Sequence, residues 1–160
     1  MNKFIIKEAE IKDSQVILDF IKAIAKYEQL EDQVEATIED IKTSIFINKD
    51  AYVIIAYDDV KPIGFALYYY NYSTFKGRKG LYLEDLFVFK EYRQLGIGQM
   101  LFDYLMDLAK KEHCGRMEWV CLNWNQKAID FYIKKGAIPM SEWTTFRIDE
   151  MNYSTVKQSS

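Results

Sequence analysis

Leu81-Tyr-Leu-Glu-Asp-Leu-Phe-Val-Phe-Lys-Glu-Tyr-Arg-Gln-Leu-Gly-Ile-Gly-Gln-Met-Leu-Phe-Asp-Tyr-Leu105 is the stretch whose reading decides the fold. Residues 81–89 read as an apolar strand interrupted by Glu84 and Asp85. Met100, Leu101, Tyr104, Leu105 and Leu108 then recur at helical spacing. Between them lies Arg93-Gln-Leu-Gly-Ile-Gly98. A strand, a glycine loop and a helix N-terminus together make an anion site, because unpaired backbone N–H groups and the helix dipole point at the same ligand. Gly96 and Gly98 let the main chain approach a phosphate with no Cβ in the way. A tight turn is the plainer reading of the same two glycines. The fingerprint G-x-G-x-x-G is absent and no Gly-Lys-Ser/Thr follows, so neither a dinucleotide fold nor a P-loop is indicated.

At 160 residues the chain suits one domain, over residues 1–151, with a polar tail at 152–160. That length buries roughly 70% of the unfolded surface. Aromatic residues make up 16%, twelve of them Tyr, which suits a lined pocket or a dimer surface as well as a packed core. A net charge of −3 gives no basic face for nucleic acid. Cys114, Cys121 and the single His113 lack metal-ligand spacing, so no metal is expected and the cysteines read as reduced thiols. No signal peptide is visible and no apolar run approaches 18 residues, which suits a soluble, cytoplasmic protein with no membrane partner.

Phe4–Lys7 reads as a first strand. Asp13 is positioned to cap a helix with the stripe Val16, Ile17, Phe20, Ile21 and Ile24. Thr37-Ile-Glu-Asp40 resembles a capping box for a short second helix carrying Ile38, Ile41 and Ile45. Residues 51–57 and 62–70 are strands joined by a hairpin at Asp58–Lys61. Residues 71–80 read as a loop or wide turn. After the glycine loop a helix spans about 97–112, followed by a buried strand at 116–122. Gln126–Lys135 is a helix that Gly136 ends, and Trp143–Ile148 a final strand. The order β-α-α-β-β-β-α-β-α-β is mixed α/β with no internal repeat.

That order, with Arg-Gln-x-Gly-x-Gly between the fourth strand and the third helix, resembles the GCN5-related N-acetyltransferase fold over nearly the whole chain. Within that superfamily the sequence is similar to the diamine (spermidine/spermine) acetyltransferases. The residues that carry the likeness are Ala25-Lys-Tyr-Glu28, Glu31-Asp-Gln-Val34, Gly64-Phe-Ala-x-Tyr-Tyr69 and Tyr82-Leu-Glu-Asp85. Tyr92-Arg-x-x-Gly-Ile-Gly98, Trp124-Asn125, Phe131-Tyr132-x-x-x-Gly136-Ala137 and Trp143 complete them, in shared order and spacing. The resemblance implies a mostly antiparallel central sheet flanked by helices, with a splayed strand pair that binds acetyl-CoA. It also implies a homodimer.

By the same resemblance, the acetyl-CoA diphosphate sits over the backbone of Gln94, Leu95, Gly96, Ile97, Gly98 and Gln99, with Arg93 as counter-charge. The pantetheine runs beside Leu86, Phe87 and Val88 as an added strand would. Asn125, Gln126, Lys127 and Ala128 close over the far side of the cofactor, although Asn125 alone reads as a helix N-cap. Tyr132 is the implied general acid toward the CoA thiolate; without the family pattern it would read as a half-buried core aromatic. Glu84 binds the substrate amine and draws off its proton, with Asp85 beside it. Strict alternation puts Glu84 and Asp85 on opposite faces of their strand. A charge in a central strand is costly unless paired or wet, so one face is expected to open into a cleft.

Tyr27 and Glu28, with Glu31 and Asp32, form an acidic patch where the helix dipole disfavours negative charge. The resemblance makes Tyr27 and Glu28 contacts for the distal ammonium of a small cationic amine. Glu118, Trp119 and Val120 match a segment that contacts substrate in that family, and Glu142, just before Trp143, is read as a further contact. An alkylamine with a pKa near 10.4 is free base in only about 4 of 10,000 molecules at pH 7, so a proton acceptor is needed. The activity implied is direct acetyl transfer to a primary amine of a diamine, a polyamine or a lysine-like amino acid such as thialysine. Peptide acetylation and a non-catalytic acyl-CoA-binding module are the competing readings.

Overall fold

Val53-Ile-Ile-Ala56 and Ile63-Gly-Phe-Ala66 are buried along their whole length, so apolar residues are required on both faces of their strands. They form the middle of a five-stranded sheet in the computed structural model, which describes residues 3–154. The strands are β1 (Phe4–Glu8), β2 (Tyr52–Asp58), β3 (Lys61–Ser73), β4 (Arg78–Val88) and β5 (Met117–Glu118), in that spatial order. Successive pairs are antiparallel except β4–β5, which is parallel. The helices are α1 (Ser14–Tyr27), α2 (Ile38–Ile41), α3 (Ile97–Lys111) and α4 (Gln126–Lys134). The fold is thus mixed α/β, as the sequence predicts. The described residues divide into two compact units after Val120. Among them no helix is long and apolar enough to cross a membrane.

In the first unit α1 and α2 lie against one face of the sheet. Ile17, Phe20, Ile41 and Ile45 meet Val53, Ile55, Phe65 and Phe87 in one cluster, with Leu67 and Phe89 packed on it. Phe20 stacks on Phe65 at 4.7 Å and on Phe89 at 5.0 Å. The other face belongs to α3. Leu101 and Val88 crowd the Cα of Gly64, and Leu101, Phe102 and Leu105 are buried. The five stripe residues of α1 lie in or against that cluster, and the Thr37 capping box forms as expected: Asp40 N–H donates to Thr37 Oγ1 at 3.2 Å and Thr37 N–H to Asp40 Oδ2 at 2.8 Å. Beyond Ile41 the helix widens into a π-helix over Lys42–Ile47.

Several expectations are corrected. Asp13 does not cap α1; its carboxylate accepts from Glu10 N–H at 2.8 Å and serves the preceding turn instead. Residues 71–80, expected as a loop or a wide hairpin turn, form a hairpin that is tighter than expected. The β3–β4 ladder continues to Ser73↔Arg78, because Ser73 Oγ and carbonyl oxygen accept from Lys76 N–H (3.2 Å) and Gly77 N–H (2.8 Å) and close a four-residue turn. Of the buried strand at 116–122 only Met117–Glu118 pairs, and both residues are partly exposed. Residues 143–148 form no strand; Trp143 and Phe146 are 76% and 92% exposed. An apolar–polar alternation supplies a face, but a strand also needs a ladder partner, and this segment has none among the described residues.

In the second unit α4 begins at Asn125, whose Oδ1 accepts from Ala128 N–H at 3.3 Å, the N-cap its type predicts. It ends in a Schellman motif: Ala137 N–H donates to Tyr132 O (3.0 Å) and Gly136 N–H to Ile133 O (2.9 Å), with Gly136 at φ 94°. Residues 155–160 of the expected polar tail lie outside the described residues.

Candidate active site

Tyr68 pairs with Leu83 and Leu67 with Asp85, so Glu84 has no partner in the β3–β4 ladder. It is the extra residue of a β-bulge. Residues directly opposite in a ladder share a face. Leu67 packs on the α1 cluster, and therefore Asp85 faces α1 too. Tyr68 feels Tyr104 of α3, and Leu83 lies on that side with it. Glu84, one residue from Leu83, turns back toward α1. The bulge thus brings Glu84 and Asp85 onto one face, correcting the alternation that puts them on opposite faces.

Glu28, the residue after α1, completes a carboxylate cluster there. Burial, then Glu84, then Glu28 push the Asp85 carboxyl up to about 7. Burial, then Glu84, also raise Glu28 above the ordinary carboxylate range. None of the three carboxylates accepts a hydrogen bond or meets a cation among the described residues. Nor is any group of three His, Cys, Asp or Glu side chains among those residues arranged to hold a metal. The arrangement is an anionic recess without a counter-charge, suited to one or more ammonium groups.

Tyr69 and Tyr82 border it. They are opposite one another in the ladder, share the α1 face and approach to 5.0 Å between ring centres. Burial, then Glu84, raise both phenols. Sequence reading quotes these two residues without giving them a role. The bulge was missed as well, although strict alternation would align Asp85 with Leu81, Leu83 and Phe87 on one apolar face, which signals a phase shift.

The glycine loop lies at the end of the same strand. Gln94 (φ 66°) and Gly96 (φ 83°) are both left-handed, and Gly96 is the N-cap of α3. The first bond of the helix runs from Met100 N–H to Gly96 O at 3.0 Å. The N–H groups of residues 97–99 precede that ladder, and those of 94–96 have no partner among the described residues. Six main-chain donors on a mostly exposed turn fit a diphosphate. Arg93 Nε donates to Val88 O at 3.0 Å, and its guanidinium lies over Tyr27 (4.9 Å) and Phe87 (5.4 Å). Its terminal amino groups stay free among the described residues.

β5 leaves β4 after Tyr82↔Glu118, so Leu83, Asp85, Leu86, Phe87 and Val88 pair only with β3. That divergence is the splay expected beside a pantetheine arm. The predicted substrate contacts of β5 separate. Glu118 sits beside Tyr82 but is held by Arg116 Nε at 3.0 Å. Trp119 packs edge-on against Phe102 of α3 at 5.1 Å, on the opposite face. Val120 is 68% exposed. In the second unit Tyr132 is half-buried against Phe131 at 5.4 Å. Gln126 is tied to Asp130 at 2.7 Å, Lys127 is exposed, and Glu142 lies in a shallow groove with Pro139, Met140, Ser141 and Trp143.

A sheet with one parallel edge pair that splays, a glycine turn of free amides and an anionic recess beside it define an N-acetyltransferase. The chain belongs to the acetyltransferase (GNAT) family, whose model matches residues 17–137, and within it to the diamine acetyltransferases. It is 33% identical over 156 residues to a thialysine N-epsilon-acetyltransferase of Bos taurus, covering 90% of this chain and 91% of that one. It is 36% identical to spermidine/spermine N(1)-acetyltransferase-like protein 1 of Homo sapiens, over 93% of this chain and 23% of that protein. An integron cassette protein from the mobile metagenome of V. cholerae superposes with a TM-score of 0.80 at 25% identity, over 97% and 98% of the two chains.

Proposed function

We propose that this enzyme transfers the acetyl group of acetyl-CoA to a primary amine of a small cation, either a diamine or polyamine or a lysine-like amino acid such as thialysine. The observation that carries the reading is the cluster of Glu28, Glu84 and Asp85 on one face, without a counter-charge among the described residues. The thioester, when bound, supplies an electrophilic carbonyl and a thiolate leaving group. Main-chain amides of Gln94–Gln99 and the terminal amino groups of Arg93 hold the diphosphate. Leu86, Phe87 and Val88 offer a strand edge to the pantetheine, and Asn125, Gln126, Lys127 and Ala128 close over the cofactor.

Glu28 and Asp85 anchor the cation, with Tyr27, Glu118, Trp119, Val120 and Glu142 as outer contacts. Glu84 accepts the ammonium proton through water, which frees the nitrogen lone pair to form the new N–C bond. Tyr132 donates a proton to the sulfur as the C–S bond breaks, and its phenolate is reprotonated by the second proton that the attacking nitrogen sheds on becoming an amide. A carboxylate that binds an ammonium also raises its pKa, so a water relay reconciles holding with activation. Such acid–base assistance contributes about 10²–10⁴-fold.

The catalytic domain takes in residues 1–151, and the enzyme works as a cytoplasmic homodimer. Exposed Trp143, Phe146 and Ile148 supply the apolar surface that a second copy would cover. Sedimentation at micromolar concentration tests the dimer. The reaction is tested by following free CoA release against putrescine, spermidine, spermine, thialysine, ornithine and a lysine-bearing peptide. Saturable release with the small amines is expected. Activity on the peptide alone, or on none of them, would overturn the assignment.

A further inference from the structure

The Tyr69–Tyr82 pair has no role in the chemistry above. The two rings are half-buried on the α1 face, cross-strand partners 5.0 Å apart. Their hydroxyls have no hydrogen-bond partner among the described residues. Neither oxygen is a buried, unpartnered atom, so both phenol tips reach solvent while the ring bodies stay half-buried. The rings, whose faces carry the negative part of the aromatic quadrupole, stand close enough to Glu84 for its charge to act on both phenols, and Tyr82 is two residues from it along β4. Glu118, the next residue across the sheet, is already neutralised by Arg116, so the row Tyr69–Tyr82–Glu118 offers aromatic surface more than free charge.

Resting on the proposed amine acetylation, we infer that Tyr69 and Tyr82 form the wall on which the substrate's alkylammonium chain lies, making them specificity-determining residues for aliphatic cations. A methylene chain flanked by an ammonium matches that surface. The charge is attracted to the ring faces, and the methylenes lose water against them. A hydroxylated or branched amine gains nothing from such a wall.

The test uses butyltrimethylammonium, which has no N–H to donate and cannot be acetylated. In the wild-type enzyme it should inhibit competitively against the amine and not against acetyl-CoA. Tyr69→Leu and Tyr82→Leu should weaken that inhibition about 2- to 30-fold, the range of cation–π contributions, while Tyr69→Phe and Tyr82→Phe should keep it. The acetyl-CoA KM should stay within about twofold in all four. Leu variants that inhibit like wild type, or Phe variants as impaired as Leu, would overturn the inference. Calorimetric binding of the same ion, read without turnover, separates this from failure of the acetylation reading: an enzyme inactive on every amine that still loses the ion in the Leu variants keeps the wall and loses the reaction. Should Tyr82→Leu fail to fold, Tyr69→Leu decides.

Discussion

Glu84 and Asp85 are consecutive in β4 and yet face the same helix, because Glu84 alone goes unpaired between Tyr68↔Leu83 and Leu67↔Asp85. One inserted residue converts an alternating strand into a two-carboxylate edge. The stability lost in burying a carboxyl and setting like charges beside it is evident in Asp85, which burial first, then Glu84 and Glu28, push up to about 7. The recess is built at the expense of the fold and is relieved when a cation enters.

Asp85→Asn should therefore stabilise the protein, and do so in a pH-dependent way. The folded-state value, about 7, lies above the ordinary 3.8. Between those values the unfolded chain gives up the proton while the folded chain keeps it, so wild-type stability falls as pH rises and levels off above about 8. Asn carries no such slope. Thermal melts should show little difference at pH 4.5 and an advantage on the order of 2–4 kcal/mol for the variant at pH 8. Equal differences at both pH values would mean that Asp85 is not strained by its neighbours.

The fold was legible in the sequence wherever periodicity and local chemistry agreed. Leu101, Leu105 and their neighbours mark α3, Thr37 and Asp40 start α2, and Asn125 and Gly136 bound α4. The failures were non-local. Nothing in residues 71–80 says that Ser73 folds back on its own turn, and nothing in Trp143–Ile148 says that no strand lies beside it. The candidate site was half visible. Glu28, Glu84 and the glycines carry their types openly, whereas the bulge depends on register against β3. Tyr69 and Tyr82 look like any strand aromatics until they are seen facing each other beside a carboxylate.

Gly96 and Gly98 separate turn-making from ligand approach. Gly96→Ala puts a Cβ on a residue at φ 83° with nothing nearby to clash, so its cost is backbone strain, about 1–2 kcal/mol. Gly98→Ala meets only Val88 Cγ2, at 3.9 Å, and should be neutral or slightly stabilising in melts. If the turn merely connects β4 to α3, Gly98→Ala is harmless. If the amides cradle a diphosphate, its acetyl-CoA KM rises roughly tenfold, the loss of one hydrogen bond to a charged group, while amine KM is unchanged. Steady-state kinetics with each substrate varied in turn decides between them.

Glu84→Gln and Glu28→Gln should fail differently. Losing the proton acceptor lowers kcat by about 10²–10⁴-fold and leaves acetyl-CoA binding intact. Removing Glu28 takes away an anchor, raising amine KM roughly 10- to 100-fold with a smaller change in kcat. Matching losses in both variants would mean that the three carboxylates act as one undivided charge.

Amine binding should also release protons, since an entering ammonium favours the charged form of Asp85 and lowers its pKa from about 7. At pH 6.2 most Asp85 carboxyls are protonated in the free enzyme, so binding a diamine expels up to about one proton per site. At pH 8 the carboxyl is already ionised and release falls toward zero. Glu84 and Glu28, which face Asp85 from β4 and from the end of α1, both act to hold the proton in the free enzyme, so their loss would shrink the effect. Titration calorimetry in buffers of different ionisation enthalpy measures the proton count directly. An observed enthalpy that does not vary with buffer at pH 6.2, in an enzyme that binds the amine, would place the cation away from Asp85 and leave the strained carboxyl without a function.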